Sequence, residues 1–349
     1  MKIRLPFKRH DQEDGNGSNS GSRGRVIGSV LVLLVGFVLI LGIYWSFEPK
    51  LIAIQELPSL EAPADVKGYY TTQMLIEVVE TILYKRGGFL RNDRTPPGLY
   101  LDDIPSWEHG ALMQVRDLSQ TLRNDFSRAR SQSVIHPALQ KAYNHFSYDS
   151  ESWIFPSSES EYKNGLKLIR KYQKDLIEGK AEFAPRADNL RDYLDLVQKQ
   201  LGSISQKLAA NVGDVRVYVA LVADASIENT DGAPTEGNAV LQEQVERVRT
   251  PWRKIDNVFF EARGSTWALA NILRAVEKDF ADVLQDKNAT SNMRQIIREL
   301  EGARRTFWSP VVLNGNGFGI FANHSAFLGS YVARANVGLI ELRNILDRG

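Results

Sequence analysis

The chain has 349 residues, 43 Lys or Arg against 42 Asp or Glu, and no cysteine. The missing cysteines exclude a disulfide scaffold, a cysteine-ligated zinc or iron–sulfur site and a thiol nucleophile. A net charge of +1 gives the whole molecule no electrostatic reason to bind nucleic acid, and 43% hydrophobic with 24% charged residues excludes wholesale disorder.

Residues 1–25 are rich in Gly, Ser, Asn and charge, too polar to bury a core, and predict a flexible tail. Val26 to Phe47 then runs for 22 residues without a charge. At about 1.5 Å per residue this covers the roughly 30 Å hydrocarbon layer of a bilayer. Tyr44 and Trp45 close it with the amphipathic rings that suit a lipid–water interface. The run exceeds the apolar region of a cleaved signal peptide and ends too bulkily for a small-x-small cleavage site, so an uncleaved signal anchor is expected. The tail carries six basic residues against three acidic, a net +3, with Arg23 and Arg25 abutting the span. By the positive-inside rule the N-terminus is cytoplasmic and residues 48–349, near −2 in net charge, lie on the other side.

Residues 48–68 hold Pro49, Pro58 and Pro63 and read as a stiff extended stalk. Beyond it, apolar positions recur at alternating steps of three and four. Leu75, Val79 and Ile82 begin the series, followed by Leu112 to Ala129, Leu190 to Leu208, Trp252 to Val283 and Leu328 to Leu346. This 3.5-residue period is the seam of helices crossing at shallow angles, and it predicts an all-α helical bundle. Residues 212–222 are ambiguous, because Val215, Val217, Val219 and Leu221 alternate as a strand while Val212, Val215, Val219 and Val222 keep a helical step. With no convincing partner strand, a continuous helix from Asp188 to Ser226 is the favoured reading. Prolines 96, 97, 105, 137 and 156 mark breaks. The loop 229–238 separates a helical half, 69–228, from a second half, 239–349.

Two clusters invite a chemical reading. Asp102, Asp103, Glu108 and His109 surround Pro105 and Trp107. They could supply an acid–base pair or hard metal ligands, but their spacing matches no calcium-loop or zinc-protease pattern. The bland account makes Ser106 a helix cap with Glu108 and His109 in the first turn. Arg86, Arg91 and Arg94 flank Gly87-Gly88 in a basic loop that could bind an anion, or could simply end a helix. Asn314 to Gly319 contains G-x-G-x-G without the strand or Lys-Ser/Thr a nucleotide site needs. The seams carry no inward Glu-x-x-His pairs, so no metal and no cofactor are expected.

The segments Ile43-Tyr-Trp-Ser-Phe-Glu-Pro-Lys50, Arg86-Gly-Gly-Phe-Leu-Arg-Asn-Asp-Arg-Thr-Pro-Pro-Gly98 and Phe321-Ala-Asn-His-Ser325 resemble a proteobacterial domain-of-unknown-function family of single-pass inner-membrane proteins. The resemblance implies an inner-membrane location and a helical periplasmic body, and carries no catalytic residues. The expected role is a membrane-anchored scaffold, adaptor or assembly factor of the cell envelope, partnered by an envelope protein or a second copy. The alternative is a tethered envelope hydrolase using Asp102, Asp103, Glu108 or His109.

Overall fold

The computed structural model describes residues 20–54, 66–128, 134–213, 216–222, 240–246, 250–305, 311–315 and 322–348. Ten α-helices dominate these residues. α1 (Ser20–Trp45) is the apolar helix; its 21-residue stretch Arg25–Trp45 is long and apolar enough to cross a membrane, and only 6% of its most apolar window is buried by the rest of the chain. The helices of the body are α2 (Tyr69–Tyr84), α3 (Asp103–Thr121, ending in a π turn at Leu122–Phe126), α4 (Pro137–Phe146), α5 (Ser158–Ile177) and α6 (Ala187–Val212). They continue with α7 (Ile255–Asp279), α8 (Ala281–Asp286), α9 (Thr290–Gly302) and α10 (His324–Asp347).

The seams are used within the chain. Leu190, Leu194, Val197, Leu201, Ile204 and Leu208 of α6 are buried, as are Leu328, Val332, Ala335, Leu339, Leu342 and Leu346 of α10. The two helices pack against each other antiparallel, with Asn211 beside Ser325 and Arg191 paired to Asp347. Both halves of the chain contribute to one hydrophobic core. Its tightest crossing joins α3 to α7, where Trp107 meets Trp267 at 4.9 Å between ring centroids. Gly110 and Gly264 let the backbones touch there, since a Cβ on Gly264 would stand 1.9 Å from the Trp107 carbonyl oxygen. Here the glycines serve close approach rather than an unusual dihedral.

Three expectations need correction. The continuous helix from Asp188 to Ser226 ends at Val212, where Gly213 takes a left-handed φ of 76° and caps it. Arg216–Val222 is instead a strand, β1, paired antiparallel with β2 (Val240–Glu246) in the register Val219 to Glu243. The partner was missed because Gln242, Glu243 and Gln244 dilute the apolar alternation of its sequence. The seam from Trp252 to Val283 is not one helix, for α7 stops at Asp279 and α8 follows. Trp252 lies ahead of α7 on a 3-10 turn and is 77% exposed. The loop expected at 229–238 and most of the Asn314–Gly319 loop lie outside the described residues.

The start of the expected stalk is docked, not free. Glu48 accepts two bonds from the Arg263 guanidinium, at 2.5 and 2.7 Å. Trp267 Nε1 donates to the Lys50 carbonyl, and the Ile52 amide donates to Asn271 Oδ1. Arg274 and Arg304 donate to the Ile52 and Pro49 carbonyls. Residues 48–54 therefore form an extended strap running along α7 in the same direction. Residues 55–65 of the expected stalk, with Pro58 and Pro63, lie outside the described residues; in 48–54, α7 satisfies the strap's backbone groups, which would otherwise face water.

The strap fixes the polarity of the bundle. α7 starts at the end where α1 arrives and finishes at the far end, where buried Asp279 accepts bonds from the Gly68 and Thr71 amides at the start of α2. α2 returns to the α1 end, α3 climbs to place Phe126 against Phe280, and α6 descends until Asn211 meets the Ile255 carbonyl.

Candidate functional site

The residues singled out in sequence gather at the end of the body where α1 arrives, but in two separate groups. Along α3, Asp103 and Glu108 are five residues apart, roughly 140° around a helix of 3.6 residues per turn, so they face different neighbours. The helix begins at Asp103, ahead of the expected cap: Ser106 sits inside its first turn and its amide donates to the Asp102 carbonyl.

Glu108 is fully buried and points into the Arg86–Asp93 loop. It pairs with Lys85 Nζ at 2.5 Å and accepts from the amides of Leu90 at 2.9 Å and Arg91 at 2.8 Å. Burial pushes its pKa up, against the pull of Lys85 and the two amides. The acid that looked available for catalysis is thus the anchor of the basic loop. His109, half-buried next to it in sequence, is held below its ordinary pKa by burial and by the charge of Arg91.

The three arginines part company. Arg91 donates to Ser150 Oγ at 2.9 Å and pairs with Glu151 at 3.0 Å, tying the loop to the segment before α5. Arg86 stacks over Tyr44 at 4.9 Å and Phe47 at 5.4 Å, gripping the end of α1. Arg94 is exposed. Gly87 has a φ of 82°, and a Cβ there would lie 2.7 Å from the Trp45 ring. Left-handed backbone and close approach both demand glycine at this point. Two clefts flank the loop. One, of about 820 Å³, is lined by Phe47, Glu48, Glu77, Tyr84 and Arg86. The other, of about 560 Å³, is lined by Gly87, Asn92, Trp153, Glu159 and Lys163.

Asp102 and Asp103 meet Asp256, from the first turn of α7, with their carboxylate oxygens within 4.8 Å of one another. Asp256 was invisible to local reading because it lies some 150 residues further along. Such oxygens suit a hard divalent cation. Burial, then the charges of Asp102 and Asp256, lift the Asp103 pKa to about 7. Its unfolded value is near 3.8. An acid with a raised folded pKa loses stability as pH climbs from the unfolded to the folded value. Asp103→Asn is therefore expected to raise the thermal midpoint at pH 8 and leave it unchanged near pH 3.5, measured by circular dichroism in detergent. A midpoint lowered at pH 8 would contradict this placement of charge.

No curated protein and no solved structure matches the chain. A family model does, over residues 19–349, and its description is an uncharacterized protein conserved in bacteria. With nearly the whole chain covered, apolar helix and body alike, the protein belongs to this family, DUF2333.

Proposed function

We propose that the protein is a single-pass inner-membrane protein with a cytoplasmic N-terminus and a periplasmic helical body. It acts there as a scaffold, adaptor or assembly factor of the cell envelope through protein–protein contact. The observation that carries this reading is the use made of the loop's charges. Glu108, Lys85, Arg86 and Arg91 hold the loop, the segment before α5 and the end of α1 together, so this polar network serves construction. The net +3 of the tail supports the orientation.

The test is photo-crosslinking in living cells from Val337, exposed on α10, with the products identified by mass spectrometry. A reproducible adduct with one envelope protein is expected. Adducts of the chain with itself alone would overturn the adaptor role. The hydrolase reading retains one supporting observation, the Asp102–Asp103–Asp256 group with a proton held to about pH 7. An Asp102→Asn/Asp103→Asn variant that folds and fully replaces the wild-type protein in a deletion strain would remove it.

A further inference from the structure

The anchor end of the body has an unusual surface. Leu99 and Tyr100 are 49% and 75% exposed, Trp153, Ile154 and Phe155 are 50%, 54% and 95% exposed, and Trp252 is 77% exposed. All lie in loops or short 3-10 turns between helices, at the end of the body where α1 arrives. At the far end, among the described residues, Val134 is the one large apolar side chain so exposed. Phe155 also holds a φ of 33°, a costly backbone for a bulky side chain.

Three contacts fix the height of these loops relative to the anchor. Gly42 of α1 is buried by Pro97 and Leu101, with a built Cβ 3.5 and 3.8 Å from their side chains. Gly42 precedes Trp45 by three residues, so the 97–101 loop reaches about 4.5 Å to the lipid side of that interfacial ring. Asn92 Nδ2 donates to the Ser152 carbonyl at 2.8 Å, which brings the 152–156 loop beside the loop under Trp45. The Asp102–Asp256 approach brings the start of α7 beside Leu101. The strap advances along α7 away from the anchor, so Trp252, eleven residues before Arg263, points back toward it.

We propose that these three loops form a rim that seats the body in the headgroup layer of the same bilayer α1 crosses. Tyr and Trp rings with an apolar body and a polar edge suit that layer, and exposed Arg94, Arg253 and Lys254 face anionic headgroups. The Asp102, Asp103 and Asp256 carboxylates stand beside these loops, Asp102 exposed, and limit the net charge of the rim. The proposal rests on α1 being a membrane anchor. It replaces a body held away on a stalk with one lying on the surface.

The absence of cysteine makes the test direct. Single-cysteine variants Leu99→Cys, Ile154→Cys and Arg253→Cys leave Tyr100, Phe155 and Trp252 in place. Ile40→Cys reports the span, and Asp286→Cys, at the end of α8, the far end of the body. Each full-length variant is labelled with an environment-sensitive fluorophore and reconstituted in phosphatidylethanolamine–phosphatidylglycerol vesicles carrying a nitroxide near the headgroup. Blue-shifted, quenched emission at positions 99, 154 and 253, and unquenched emission at 286, is expected. Quenching at 40 with positions 99, 154 and 253 as silent as 286 would overturn the rim while leaving the anchor. Equal quenching at 286 and the rim would overturn it too. No quenching at 40 would sink the anchor reading and the rim with it.

Discussion

Replacing Glu108 with alanine is expected to destabilise the body by about 3–5 kcal/mol, the range for removing one partner of a buried ion pair. Lys85, 4% exposed, would lose its counter-charge and keep the Gly88 carbonyl as acceptor. The Leu90 and Arg91 amides would lose their acceptor, at about 1–3 kcal/mol for each group left buried and unsatisfied. Against a typical total of about 5–15 kcal/mol this is a large share. Denaturant unfolding of the full chain in detergent micelles, followed by circular dichroism, measures it. A loss below about 1 kcal/mol would mean that the carboxylate does not hold the loop. The double variant Lys85→Met/Glu108→Leu should recover much of the loss, since apolar replacement of a buried pair is often neutral. A catalytic acid would show the opposite pattern, with stability kept and activity lost.

Arg263→Ala is expected to rank beside it, at about 3–5 kcal/mol. Arg263 is buried, pairs with Glu48 and donates to the carbonyls of Ala303, Arg304 and Arg305. Its removal strands an acid and frees both the strap and the turn after α9. Glu48→Gln is the milder companion, keeping an acceptor for the guanidinium, and should cost clearly less by the same unfolding measurement. Equal losses in the two variants would show that the charge pairing, rather than the carbonyl contacts, carries the effect.

How much of this could be read in advance depends on the range of the interaction. The α6 and α10 seams were legible because helix packing writes a period into each segment on its own, and those twelve positions are buried. The same rule misplaced Trp252, whose step of three before Ile255 continues the pattern past the point where the helix begins. The apolar helix α1, long enough to cross a membrane, was legible because length and apolarity are local quantities. The roles of the charges were not. Asp102 and Glu108 look like neighbours in sequence, but one joins Asp256 while the other reaches Lys85 across a helix end. Nothing near Glu48 predicts Arg263, which sits on the buried side of α7 opposite a strap some 215 residues earlier. Pro49 lies in the extended strap, while Pro58 and Pro63 of the expected stalk lie outside the described residues. Whether an extended segment spans water or lies on a helix is decided by its partner.

Docking of the strap on α7 ties α1 to the helices of the body. Pulsed electron paramagnetic resonance between nitroxides at Ile43→Cys and Glu341→Cys, in lipid nanodiscs, tests it on an otherwise cysteine-free chain. One narrow distance distribution is predicted, broadening when Arg263→Ala or Glu48→Gln loosens the strap. A broad distribution in the unaltered strap would contradict the claim and restore a free stalk between membrane and body.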